Sequence, residues 1–124
     1  TGHVTFTTLH TTGVPATVSR MVRMFPAEQR DAAYADLIEA TQLIVSQRLL
    51  PSADGRRVAV REWLALDVNL KTALRDLPPD KTSNTLRTFV HTGGQSFKAD
   101  ADQLLRDGRI TGPVHAEFLR SYAA

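Results

Sequence analysis

Cysteine is absent from all 124 residues, so a disulfide framework, a thiolate metal site and a cysteine nucleophile are unavailable. Aromatics are sparse, with one Trp, two Tyr and five Phe, which leaves little for the stacking platforms used on single-stranded nucleic acid. No apolar run reaches the roughly 18 residues of a membrane-spanning helix, and the first residues lack the basic, apolar and cleavage regions of a secretion signal. An excess of one charge is also missing: 15 Lys and Arg face 13 Asp and Glu, a net charge of only +2. Arg20, Arg23, Arg48, Arg56, Arg57 and Arg61 are scattered along the chain, whereas a nucleic-acid-binding domain gathers its cations on one face. They read as solvated surface. There is no internal repeat and no low-complexity tract.

What remains is globular composition, 42% hydrophobic and 23% charged, enough for one ordinary core. The chain opens at Thr1, without methionine and inside a strand pattern, as an excised piece of a longer protein would. Val4 to Leu9 alternates like a strand, and Thr11, Thr12 and Gly13 form its exit. Pro15 suits a helical first turn, and Val14, Val18, Met21, Val22 and Phe25 recur at helical spacing until Pro26. Tyr34, Leu37, Ile38, Thr41, Ile44 and Val45 repeat the pattern and predict a second helix of about four turns. Period two then takes over. Gln47 to Leu50 and Val58 to Leu66, joined through Asp54-Gly55, predict a β-hairpin with Val58, Val60, Leu64 and Leu66 inward and Arg61 and Trp63 outward. Beyond Asn69 the pattern is helical in short pieces, Leu70–Leu74, Thr85–Val90, Phe97–Leu105 and Val114–Leu119, punctuated by Gly93-Gly94, Gly108 and Gly112-Pro113. The shift near Pro78-Pro79 divides a first part, 1–77, from an all-helical tail, 78–124.

Familiar catalytic spacings are missing. Zinc needs three or four close ligands, and neither H-x₃-H nor HExxH occurs. No GxSxG elbow presents a serine. No GxxxxGK[ST] loop or strand-end Walker B acid is present, so the phosphate cradle and magnesium acids of phosphoryl transfer are not in these residues. Glu62 beside Trp63, Arg20 and the pair Arg56-Arg57 have two readings, facing a nucleotide or a neighbouring subunit, or, more often for such residues, hairpin and helix surface, and His91 and His115 read as surface or packing.

The stretch TGHVTFTTLHTTGVPATVSRMVRMFP resembles the histidine box of the secretion and pilus-motor ATPases, hexameric P-loop NTPases of type II and type IV systems. PAEQR, ATQLIVSQRLLP, GRRVAVREWLALD, NLKTALRD, HTGGQSF and LLRDGRI follow in the order found in the C-terminal part of pilus-retraction and type IVB secretion ATPases. NLKTALRD stands where retraction motors carry a motif resembling AIRNLIRE, and shares its apolar spacing and its closing aliphatic-Arg-acid triplet.

The resemblance implies an α/β fold: the C-terminal portion of a RecA-like P-loop NTPase core with a closing β-hairpin and a helical C-terminal subdomain. It also implies a hexameric motor that couples ATP hydrolysis to pilus dynamics or secretion, with ATP and Mg in the full-length protein and no tight binding to this piece, which is expected to be inactive alone. The implied setting is cytoplasmic, at the inner membrane, through platform proteins of the pilus or secretion machine, with no nucleic-acid partner. In such a sheet, ligands sit beyond the carboxyl ends of the strands, which gives His10 the role of γ-phosphate sensor, with Thr11 and Thr12 at the nucleotide. His3 is supporting: if the strand is continuous, seven residues at about 3.3 Å each put the imidazoles on the order of 20 Å apart. Two other readings stand beside this one, a stand-alone interaction or assembly module and a basic nucleic-acid-binding domain.

Overall fold

Residues 3–123 are described by the computed structural model. Among the described residues six helices flank one hairpin: α1 (Val14–Arg23), α2 (Arg30–Ala40), β1 (Leu43–Pro51), β2 (Arg57–Ala65), α3 (Val68–Arg75), α4 (Ser83–Gly93), α5 (Phe97–Arg106) and α6 (Gly112–Ala123). Short 3₁₀ turns at Ala27–Gln29 and Pro79–Lys81 precede α2 and α4. Pro15 stands in the first turn of α1, where a missing N–H costs nothing. Asp67 caps α3 by accepting from Leu70 N at 2.8 Å, and Ser96 caps α5 by accepting from Ala99 N at 3.1 Å; such caps stabilise a helix by about 1 kcal/mol each. Among the described residues no helix is long and apolar enough to cross a membrane.

The hairpin is antiparallel and regular, from Leu43 opposite Ala65 to Pro51 opposite Arg57. Its turn uses Gly55 at φ +84°, a left-handed conformation that costs glycine nothing, and Asp54 Oδ1 accepts from Arg56 N at 3.0 Å. As the alternation predicts, Val58, Val60, Leu64 and Leu66 are buried while Arg61 is exposed and Trp63 half-exposed.

Two expectations fail. The second helix stops at Ala40 and does not reach Val45. Thr41 is extended, and Leu43 to Pro51 becomes β1 with Ile44, Ser46 and Leu50 buried and Leu43, Val45 and Leu49 exposed. The β-branched Ile44 and Val45 gain a ladder partner in β2, and that pairing outweighs a helical spacing that carried only four turns. Val4 to Leu9, in turn, is not a strand. Val4 and Phe6 are 81% and 91% exposed, and among the described residues the only strand pair is β1 with β2. An alternating sequence becomes a strand only beside a neighbour that satisfies its N–H and C=O groups.

Two apolar clusters divide the core. In the first, Val14, Val18 and Val22 of α1 pack with Tyr34 and Ile38, with Ile44, Leu64 and Leu66 of the hairpin, and with Leu70, Leu74, Leu86 and Val90. In the second, Leu50, Val58 and Val60 meet Phe97, Ala101, Leu104, Ile110 and Phe118. Each cluster joins residues from both sides of Pro78. The inner face of β2 serves both, and between Val60 and Leu64 that face carries Glu62.

Candidate functional site

The histidine-bearing segment meets the folded body at Thr11–Val14. His3 and His10 are exposed, as is Thr12, and Thr11 is half-buried. Thr17 Oγ1 donates to Gly13 O at 2.9 Å, so its 3.0 Å contact with Thr11 Oγ1 takes the Thr11 proton. Arg48 Nη2 donates to Thr12 O at 3.4 Å. The segment is thereby tied to α1 on one side and to β1 on the other, just past His10.

Beneath this junction lies Glu62, 1% exposed. Its Oε1 accepts from Val14 N at 2.9 Å, and its Oε2 accepts from Phe97 N at 3.3 Å and from Tyr122 Oη at 2.8 Å. One carboxylate therefore serves the starts of α1 and α5 and the last turn of α6, with negative charge placed at two positive helix ends. Gly13 permits the approach, since a Cβ there would sit 3.0 Å from Oε1. Burial, together with the hydrogen bond and charge of Glu62, pushes the Tyr122 phenol up to about 12. The surface reading of Glu62 is thus overturned. The signal was its parity: position 62 is in phase with Val58, Val60 and Leu64, all buried, so period two puts it inside.

Beside the junction opens a cleft of about 880 Å³, and Thr12, Gly13, Arg48, Arg87, His91 and Lys98 are among its lining. His3, His10 and Thr11 are not. The Arg48 guanidinium lies 5.5 Å from the ring centre of Phe97 and 5.8 Å from that of Phe118, a cation–π arrangement that holds it in place. Lys98 pairs with Asp102 at 2.8 Å, and Asp102 also meets His115 Nε2 at 2.7 Å. Those bonds, Lys98 first, hold the Asp102 carboxyl below its usual range. His115 thus fastens α5 to α6, while His91 faces the cleft. Guanidinium, ammonium and imidazole groups with hydroxyls around them suit an anion.

No family model matches the chain. It is 35% identical over 111 residues to a twitching motility protein of Neisseria gonorrhoeae, a match that covers 89% of this chain and 30% of that protein. To the type IV pilus retraction ATPase PilT of Pseudomonas aeruginosa it is 32% identical over 123 residues, covering 99% of this chain and 35% of that protein. The crystal structure of the Legionella pneumophila ATPase DotB superposes with a TM-score of 0.84 at 32% identity, over 90% of this chain and 30% of that one. The chain therefore spans about a third of the length of the relatives it matches. Sequence and backbone agree along nearly its whole length with the C-terminal portion of type IV pilus and secretion ATPases.

Proposed function

We propose that these residues are the C-terminal part of a motor ATPase with a RecA-like core, assembled as a hexamer, in which ATP hydrolysis moves the helical tail and so drives pilus dynamics or secretion. The observation that supports this most is the likeness of the fold to DotB, TM-score 0.84, with the histidine segment standing directly before α1. The proposed division is 1–77 in the ATPase domain and 78–124 in the tail. The proposed location is the cytoplasmic side of the inner membrane, held there by platform proteins of the machine.

In this reading His10 hydrogen-bonds a γ-phosphate oxygen, with Thr11 and Thr12 beside it and His3 in support. Imidazole and hydroxyl donors fit phosphate oxygens. ATP with Mg would supply the transferable phosphoryl group, and a glycine-rich loop and metal-holding acids would come from residues outside these 124. The part played by this chain is to place His10 by anchoring Thr11 to Thr17 and Thr12 to Arg48.

The test is ATP turnover by the whole protein that carries this segment. His10→Ala should lower it roughly ten- to a thousandfold, the range for one lost charge-stabilising donor, with hexamer mass unchanged in the ultracentrifuge, and His3→Ala should cost less. Turnover unmoved by His10→Ala would refute the sensor role.

A further inference from the structure

We propose that Glu62 is a positioning residue that couples the seat of the last helix, α6, to the first turn of α1 and so to the exit of the histidine segment. The inference rests on the reading of that segment as the functional one.

The three donors to Glu62 come from three helices and lie 48, 35 and 60 residues away in sequence. Among the described residues no Lys or Arg forms an ion pair with this carboxylate. Its charge is met by two backbone N–H groups at helix starts and by the Tyr122 hydroxyl, so losing any one donor leaves a buried charge underserved. There is little slack on the α1 side, where the Gly13 Cβ position is 3.0 Å from Oε1. Lifting Tyr122 must therefore be felt at Val14.

A second route runs in parallel. Phe118, also on α6, supports the Arg48 guanidinium, which donates to Thr12 O. Both routes begin on α6 and end within four residues of His10, at Thr12 and Val14. The aromatic trio makes the start of each route move as one body: Phe118 and Tyr122 stack with ring centres 6.0 Å apart, and both form T-shaped pairs with Phe97, at 5.7 and 5.2 Å. Whatever presses on or releases α6 is thus transmitted to the place where the histidine segment leaves the body.

Amide exchange in the whole protein carrying these residues tests the coupling. Tyr122→Phe removes one hydroxyl and no ring. It should raise exchange about tenfold at Val14 and Phe97, the scale of one lost hydrogen bond to a charged group, and leave Ile38 in the first core cluster unmoved. Coupling is reciprocal, so Gly13→Ala, which crowds Oε1, should lower the Tyr122 phenol by the share that the hydrogen bond and charge of Glu62 add to burial, read by site-resolved tyrosine NMR. Unchanged exchange at Val14 in Tyr122→Phe would overturn the proposal, and that variant keeps the test open if Gly13→Ala fails to fold. A full exchange response in Tyr122→Phe, together with ATP turnover unmoved by His10→Ala, would support the coupling and count against the sensor reading of His10.

Discussion

At the residue scale, two glycines do different work. Gly94 lies against β2, where Trp63 N donates to Gln95 O at 2.9 Å and Gln95 N donates to Trp63 O at 3.0 Å. A Cβ at Gly94 would overlap Trp63 O, and a backbone atom fixed in a ladder cannot turn aside. Gly94→Ala should therefore cost about 1–3 kcal/mol in denaturant unfolding, as overpacking does, and a loss below about 0.5 kcal/mol would show that the bridge can yield. At Gly13 the neighbour is the Glu62 side chain, so the strain there falls on a hydrogen-bonded carboxylate. Glu62 marks how far residue chemistry was legible in the sequence. Its parity with Val58, Val60 and Leu64 signalled burial, yet as a charged residue it read as hairpin surface, and its partners were not signalled at all, because donors 35 to 60 residues away become neighbours only once three helices have packed. His10 is the converse: its motif was readable while its local structure was not, since position 10 is exposed.

At the element scale, the hairpin and the four later helices were legible, because Asp-Gly at a turn and short apolar repeats bounded by glycine are local signals. The end of α2 was not. Leu37, Ile38, Thr41 and Ile44 fit a helix as well as they fit a helix followed by a strand, and only β2 decides between the two. The junction of α5 with α6 carries a testable local fastening in Asp102, bonded to Lys98 and to His115. Its carboxyl is held below the usual range, so its share of stability is whole above the ordinary carboxylate value of about 3.9 and is lost as pH falls through the lower folded value. Asp102→Asn should lower Tm by about 1–3 °C near pH 6, the scale of a partly exposed pair in a domain of this size, and the difference should vanish at about pH 2. A difference that persists there would assign Asp102 a role in packing instead.

At the scale of the whole molecule, the inner face of the hairpin is fully used and the outer face is not. The inner face feeds both core clusters, whereas outside it Leu43, Val45 and Leu49 are 56%, 52% and 53% exposed. Val4 and Phe6 stand out from the body as well. Among the described residues β1 pairs only with β2, so its other edge offers free N–H and C=O groups. An apolar face beside an open edge is what a larger sheet covers, and left uncovered it recruits a neighbour. The isolated 124-residue chain should therefore self-associate at micromolar concentration in the ultracentrifuge, and Val45→Lys, which sets a charge in the middle of β1, should shift it toward monomer without lowering helix content. A chain that is monomeric from the outset would show that this face needs no cover, and a variant that still associates would move the contact to residues 3 to 11.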